Sequence, residues 1–129
     1  MPLPRSVRLC APLFAGALAL TFSSPALAAD TAAPSAPALV DAEGYQCLEV
    51  DVLFTRSTDA VTAQHDLMYK IYADGSFIGW SDDHGSYSVI WAAAYANQPG
   101  PSTITVTAVD AAGNESAASN PLSATTDVC

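Results

Sequence analysis

Alternation between apolar and polar positions is the most regular feature of this chain. From Leu48 to Phe54, the residues Leu48, Val50, Val52 and Phe54 share one parity while Glu49 and Asp51 take the other, the period-two signature of a strand with one buried face. Leu53 breaks the polar side of that pattern. Leu67, Tyr69 and Ile71 alternate with Met68, Lys70 and Tyr72, and Asp74-Gly75 supplies a two-residue hairpin turn into a return strand over 77–80. Ile104, Val106 and Ala108 alternate with Thr103, Thr105 and Thr107, whose β-branched side chains suit a strand. Shorter strands are predicted at 38–41 and 87–91, and the stretch TRSTDAVTAQHD over 55–66 reads as a long loop. The alanine-rich AAAYANQPGP over 92–101 supports nothing regular beyond a short helical turn at 92–96.

The stretch AVDAAGNES, residues 108–116, follows the Ile104 strand. Asp110 can accept backbone N–H bonds across a turn, and Gly113 and Asn114 tolerate positive φ, so a hairpin loop is predicted over 110–115 with a strand resuming at Ser116. Strands recurring every 8–12 residues or so, with no long helical period between them, predict an all-β sandwich.

Composition adds a leader and a charge imbalance. The 129 residues suffice for one domain. Arg5 and Arg8 precede an apolar run from Cys10 to about Phe22, and Ala26-Leu27-Ala28 forms a small-residue cleavage site, so residues 1–29 read as a signal peptide. That run is shorter than the roughly 20 residues a membrane span needs, so no stable membrane insertion is expected after cleavage and the protein is expected to be secreted or periplasmic. An Ala/Pro-rich linker at 30–37 then enters a domain over 38–129. Acids outnumber Lys and Arg by 13 to 4, and the leader removes Arg5 and Arg8 but no acid, leaving Arg56 and Lys70. Nucleic acid and anionic lipid are poor partners for such a chain, since both are gripped by clustered bases. The acidity serves solubility. Calcium coordination by Asp82 and Asp83, or near Asp59, Asp66 and Asp110, is the sharper alternative, but no D-x-[DN]-x-[DN]-G loop is present; no metal site and no cofactor is assigned.

Two cysteines, Cys47 and Cys129, follow the leader, an even count suited to pairing in an oxidising compartment. A bond closing so long a loop contributes about 4.5 kcal/mol in the chain-entropy account. Zinc is excluded by the lack of any C-x-x-C spacing and by the placement of His65 and His84. Ser86, His84 and Asp82 crowd one loop without a nucleophile elbow or an oxyanion-hole motif, so the chain reads as non-catalytic. Aromatic residues are the better lead, because exposed rings offer a flat apolar platform with a polar edge. Trp80, Trp91 and Tyr95 are the candidate ligand-stacking residues, beside Tyr45, Tyr72 and Tyr87; in the competing reading Trp91 and Tyr69 are core and Trp80 caps a sheet edge. Asn114-Glu115-Ser116 matches an N-glycosylation pattern, which the turn chemistry explains equally well.

Taken together, PSAPALVDAE at the entry, CLEVDVLFTRSTD, MYKIYADGSFIG and TVTAVDAAGNESAAS resemble a fibronectin type III domain of the secreted bacterial kind, over nearly all the chain after the leader. The resemblance implies an immunoglobulin-like antiparallel sandwich of about seven strands. It also implies that Cys47, opening the second strand, and Cys129, following the last, lie at one pole, where their bond would staple the chain end to the core. Phe54 stands where the family places a core tryptophan, and Ile104 where it places a tyrosine that bonds back to the preceding corner. The disulfide would offset part of that lost bond. The leader and the candidate stacking rings together predict an exported, non-catalytic binding or adhesion module contacting polysaccharide or the cell envelope, with a structural interaction domain for another exported protein as the alternative. The leader is checked by intact mass and N-terminal sequencing of the exported protein, which is expected to begin at Ala29 or Asp30.

Overall fold

The computed structural model describes residues 29–84 and 87–129, so the expected leader lies almost wholly outside it. Seven strands follow in order: β1 (Leu39–Gly44), β2 (Glu49–Thr55), β3 (Met68–Ala73), β4 (Ser76–Asp82), β5 (Val89–Tyr95), β6 (Gly100–Val109) and β7 (Leu122–Thr126). They form two antiparallel sheets, a three-stranded one ordered β1-β2-β5 and a four-stranded one ordered β4-β3-β6-β7. This is the predicted all-β sandwich. Among the described residues no helix is long and apolar enough to cross a membrane.

The alternation predicts the core. Val50, Val52 and Phe54 of β2, Tyr69 and Ile71 of β3, and Ile104, Val106 and Ala108 of β6 all point between the sheets and are buried. Phe54, in the tryptophan position, packs its ring 4.8 Å from that of Tyr69. The Asp74-Gly75 turn forms as expected, with φ of 50° and 79°. Single-residue bulges displace the β1–β2 register after Leu39 and the β3–β4 register after Ile71.

Two predictions are corrected. No helical turn occupies 92–96: residues 92–95 complete β5, with Ala92 and Ala94 buried and Ala93 and Tyr95 outward, and Ala96 is buried just beyond it. Small residues are needed there because β5 faces β4 across the open edge of the sandwich. A Cβ placed on Gly79 of β4 would lie 3.1 Å from the Ala94 Cβ. Nor does a strand resume at Ser116; β7 begins only at Leu122. In between, the Ser116 and Ser119 hydroxyls accept from the Ala108 and Val106 amides, while their own amides donate to the carbonyls of those same residues. Side-chain oxygens thus complete the β6 ladder where backbone pairing lapses.

At the opposite edge β1 meets β7, and here a Cβ on Gly44 would lie 2.0 Å from the Thr125 carbonyl oxygen. The turn after β1 carries Cys47 and Leu48 in the left-handed region, with φ of 62° and 65°. Backbone of this kind costs about 1–3 kcal/mol per residue and persists only when its surroundings over-determine it. The Cys47–Cys129 disulfide does so, together with Leu48 N donating to the Asp127 carbonyl and Asp127 N to that of Tyr45. The corner before β6, which lacks its tyrosine, is held by the Thr126 hydroxyl donating to the Gln98 carbonyl at 3.3 Å. Gly44→Ala is expected to lower the unfolding free energy by about 3 kcal/mol or more in urea denaturation, while Gly79→Ala, which meets only a methyl group, costs about 1 kcal/mol or less.

Candidate functional site

Loops at one pole are organised from inside the core. Tyr69 is fully buried, and its hydroxyl accepts from the Ser57 amide at 2.9 Å and donates to Asp83 at 3.2 Å. Asp83, itself buried, takes a two-point grip from Arg56, with contacts of 3.0 Å and 2.7 Å. Hydrogen-bonded at Oδ2 and ion-paired at Oδ1, this carboxylate is a buried charge balanced by its partner. The network locks the start of the β2–β3 loop against the segment following β4.

That segment leads into a cleft at the β4–β5 edge, of about 400 Å³, lined by Met68, Trp80, Ser81, Asp82, His84, Trp91, Ala92 and Ala93. Trp80 and Trp91, which belong to different sheets, are 50% and 56% exposed and both line it. Trp91 is therefore not core, whereas Tyr69 is. The Lys70 ammonium sits 5.1 Å over the Trp80 ring, and Phe77 meets that ring edge-on at 5.5 Å, so the indole is fixed before any ligand arrives. His84 bonds at one ring nitrogen to Asp82, at 2.6 Å, and at the other to the Trp91 carbonyl, at 3.2 Å. Ser86, the third residue of the imagined hydrolytic set, lies outside the described residues.

Tyr95 is not part of this cleft. It stands 60% exposed at the far end of β5 on the outer face of the three-stranded sheet, beside Glu49. Register places Asp41, Leu53 and Trp91 in one cross-strand row of that face and Glu43, Asp51 and Ala93 in the next. Tyr45 donates its hydroxyl to Glu43, and that bond, with smaller contributions from partial burial and from the charges of Glu43, Asp51 and Asp41, pushes the phenol up to about 12. One Asp51 carboxylate oxygen is buried there without a partner.

The turn after β6 closes where Glu115 bridges back to Val109, an isolated pairing with no strand following it directly. Gly113 takes positive φ, at 89°, while Asn114 does not. The Asp110 carboxylate accepts from the Asn114 amide and side-chain Nδ2, each at 2.8 Å, and Nδ2 also donates to the Asp30 carbonyl at 3.1 Å. Burial raises the Asp110 pKa, but these Asn114 bonds, with a further one from the Ala112 amide, outweigh it and leave the group below the usual range. Glu115 accepts from Tyr72 and Thr107 and pairs with Lys70 at 3.4 Å. The Tyr72 bond, then that of Thr107, pulls its pKa down, with Lys70 adding to the effect against partial burial.

No protein-family model matches this chain, and no curated protein matches it in sequence. Among solved structures it is similar to the Clostridium thermocellum CbhA fibronectin(III)-like modules, at 18% identity and a TM-score of 0.50 over 74% of this chain. The match spans 47% of that structure's chain. A PKD domain of an M14-like peptidase from a Thermoplasmatales archaeon aligns over 73% of this chain and 95% of its own, at 18% identity and a TM-score of 0.46. The fold is that of fibronectin type III and related immunoglobulin-like modules.

A carboxyl held low in the folded state contributes stability above its unfolded pKa, about 4 for Asp and Glu, and that contribution is lost as pH falls through the folded value. Urea midpoints measured from pH 6 to pH 3 are therefore expected to fall. In Glu115→Gln the fall is expected to be shallower.

Proposed function

We propose that the domain is an exported, non-catalytic binding module that holds a polysaccharide strand, free or in the cell envelope, in the cleft between β4 and β5. The observation that carries this reading is that Trp80 and Trp91, from separate sheets, both line one open groove whose wall also includes Ser81, Asp82 and His84. Flat apolar faces bordered by hydrogen-bonding groups match a sugar ring, which is apolar on its faces and polar round its rim. Trp80, already fixed by Lys70 and Phe77, loses little freedom on stacking. The non-catalytic reading draws support from His84, whose Nε2, the ring nitrogen not engaged by Asp82, faces the Trp91 carbonyl and, among the described residues, no nucleophile.

The outer face of the three-stranded sheet supports a second reading, a protein partner. It carries Asp41, Glu43, Glu49 and Asp51 with Tyr45 and Tyr95, and no base. Such a face suits a basic protein surface, whose binding would weaken as salt rises.

Co-sedimentation with insoluble polysaccharides and with envelope fractions separates the two. Retention should be saturable and about tenfold weaker in Trp80→Ala and Trp91→Ala, and unchanged in Tyr95→Ala, all checked for folding. A folded domain that no polysaccharide retains would overturn the polysaccharide reading. Salt-sensitive capture of a protein partner lost on Glu43→Lys would establish the second.

A further inference from the structure

The hairpin loop opens onto a second site. An oxygen from each of Asp30, Asp59 and Asp110 lies within 4.8 Å of the others. The three come from separate parts of the chain: the segment before β1, the β2–β3 loop and the β6 hairpin loop. Each is aimed by its own backbone. Asp30 Oδ1 accepts from the Ala32 amide at 3.2 Å, Asp59 Oδ2 from the Val61 and Thr62 amides at 3.0 Å and 2.7 Å, and Asp110 from Asn114. The segments are also tied to one another, by Asn114 Nδ2 donating to the Asp30 carbonyl and by the Ala111 amide donating to Thr62 Oγ1 at 3.1 Å.

What these bonds leave over points to a ligand. Asp110 is only 5% exposed, and Asp30 Oδ2 and Asp59 Oδ1 are sealed from solvent with no hydrogen-bond partner. Buried unpaired carboxylate oxygens are costly, and crowding them together adds like-charge repulsion. No lysine or arginine relieves it: Arg56 and Lys70, the only ones among the described residues, are committed to Asp83 and Glu115.

We propose that Asp30, Asp59 and Asp110 bind a calcium ion that fastens the segment before β1 to the two loops. The donors are all hard carboxylate oxygens, with no nitrogen or sulfur, which selects against transition metals. Oxygens bound to one calcium at about 2.4 Å stand no more than about 4.8 Å apart, and the three oxygens here fall within that limit. The remaining coordination positions fall to water or backbone carbonyls.

The test is calorimetric titration of the chelator-treated, purified protein with calcium chloride up to about 10 mM, and thermal unfolding in calcium, magnesium or EDTA at fixed ionic strength. One calcium per chain is expected. The melting temperature should rise by roughly 10 °C once calcium exceeds its dissociation constant a hundredfold, and by less with magnesium. Asp59→Asn and Asp30→Asn should abolish that rise, yet in EDTA melt at or above the parent, because each removes one charge from a repelling cluster. Absence of calcium binding, variants that keep the parent's calcium response, or an Asp59→Asn loss equal in calcium and EDTA would each overturn the proposal.

Discussion

A phenol ring sealed inside a protein must find partners for its hydroxyl, and Tyr69 finds them in two loops at once. Its ring fills the centre of the sandwich against Phe54, while its oxygen holds Ser57 and Asp83. Asp83 in turn fixes Arg56, so one contact sets where the β2–β3 loop leaves its strand and where the chain runs after β4. Everything at that pole follows from this placement. The first loop carries Asp59, and the second segment carries His84 to the mouth of the indole cleft. A hydrogen bond to a charged acceptor in a low-dielectric interior is among the stronger interactions available to a small domain.

Strands and core were legible because their signal is local. In β2, β3 and β6 most inward residues are large and apolar and most outward ones polar, and period two survives any arrangement of the rest of the chain. β5 was obscured because its inward positions are alanines, chosen for the closeness of β4 at Gly79, which is a fact of tertiary structure. Ser116 and Ser119 misled for a related reason: a hydroxyl that replaces a backbone donor or acceptor looks, in sequence, like a residue within a strand. The two tryptophans could be named from their chemistry alone, but nothing in their spacing says that they share a groove. Tyr95 differs from them in no sequence property that would place it elsewhere. The gathering of Asp30, Asp59 and Asp110 was the least visible of all, since it depends on three loops meeting, although the scarcity of bases was a signal that some acids would lack partners.

Both open edges of the sandwich are closed by the absence of a side chain. At one, Gly44 admits the Thr125 carbonyl; at the other, Gly79 admits Ala94. Edge strands are hazards when their backbone stays available to another chain. Here β1 and β5 are each drawn against the opposite sheet, which limits access to them. The surface charge acts in the same direction, because a strongly acidic chain repels its own copies.

The Cys47–Cys129 bond has a mechanical consequence. It joins residues 82 apart, and everything from β2 to β7 lies between them. Tension applied between a point ahead of β1 and a point at or beyond Cys129 passes through the sulfur atoms and bypasses the intervening chain. Only the segment ahead of Cys47 can be drawn out, by peeling β1 from β2. Six strands are thereby shielded from extension, and the yield of the domain under load is the yield of a single edge strand.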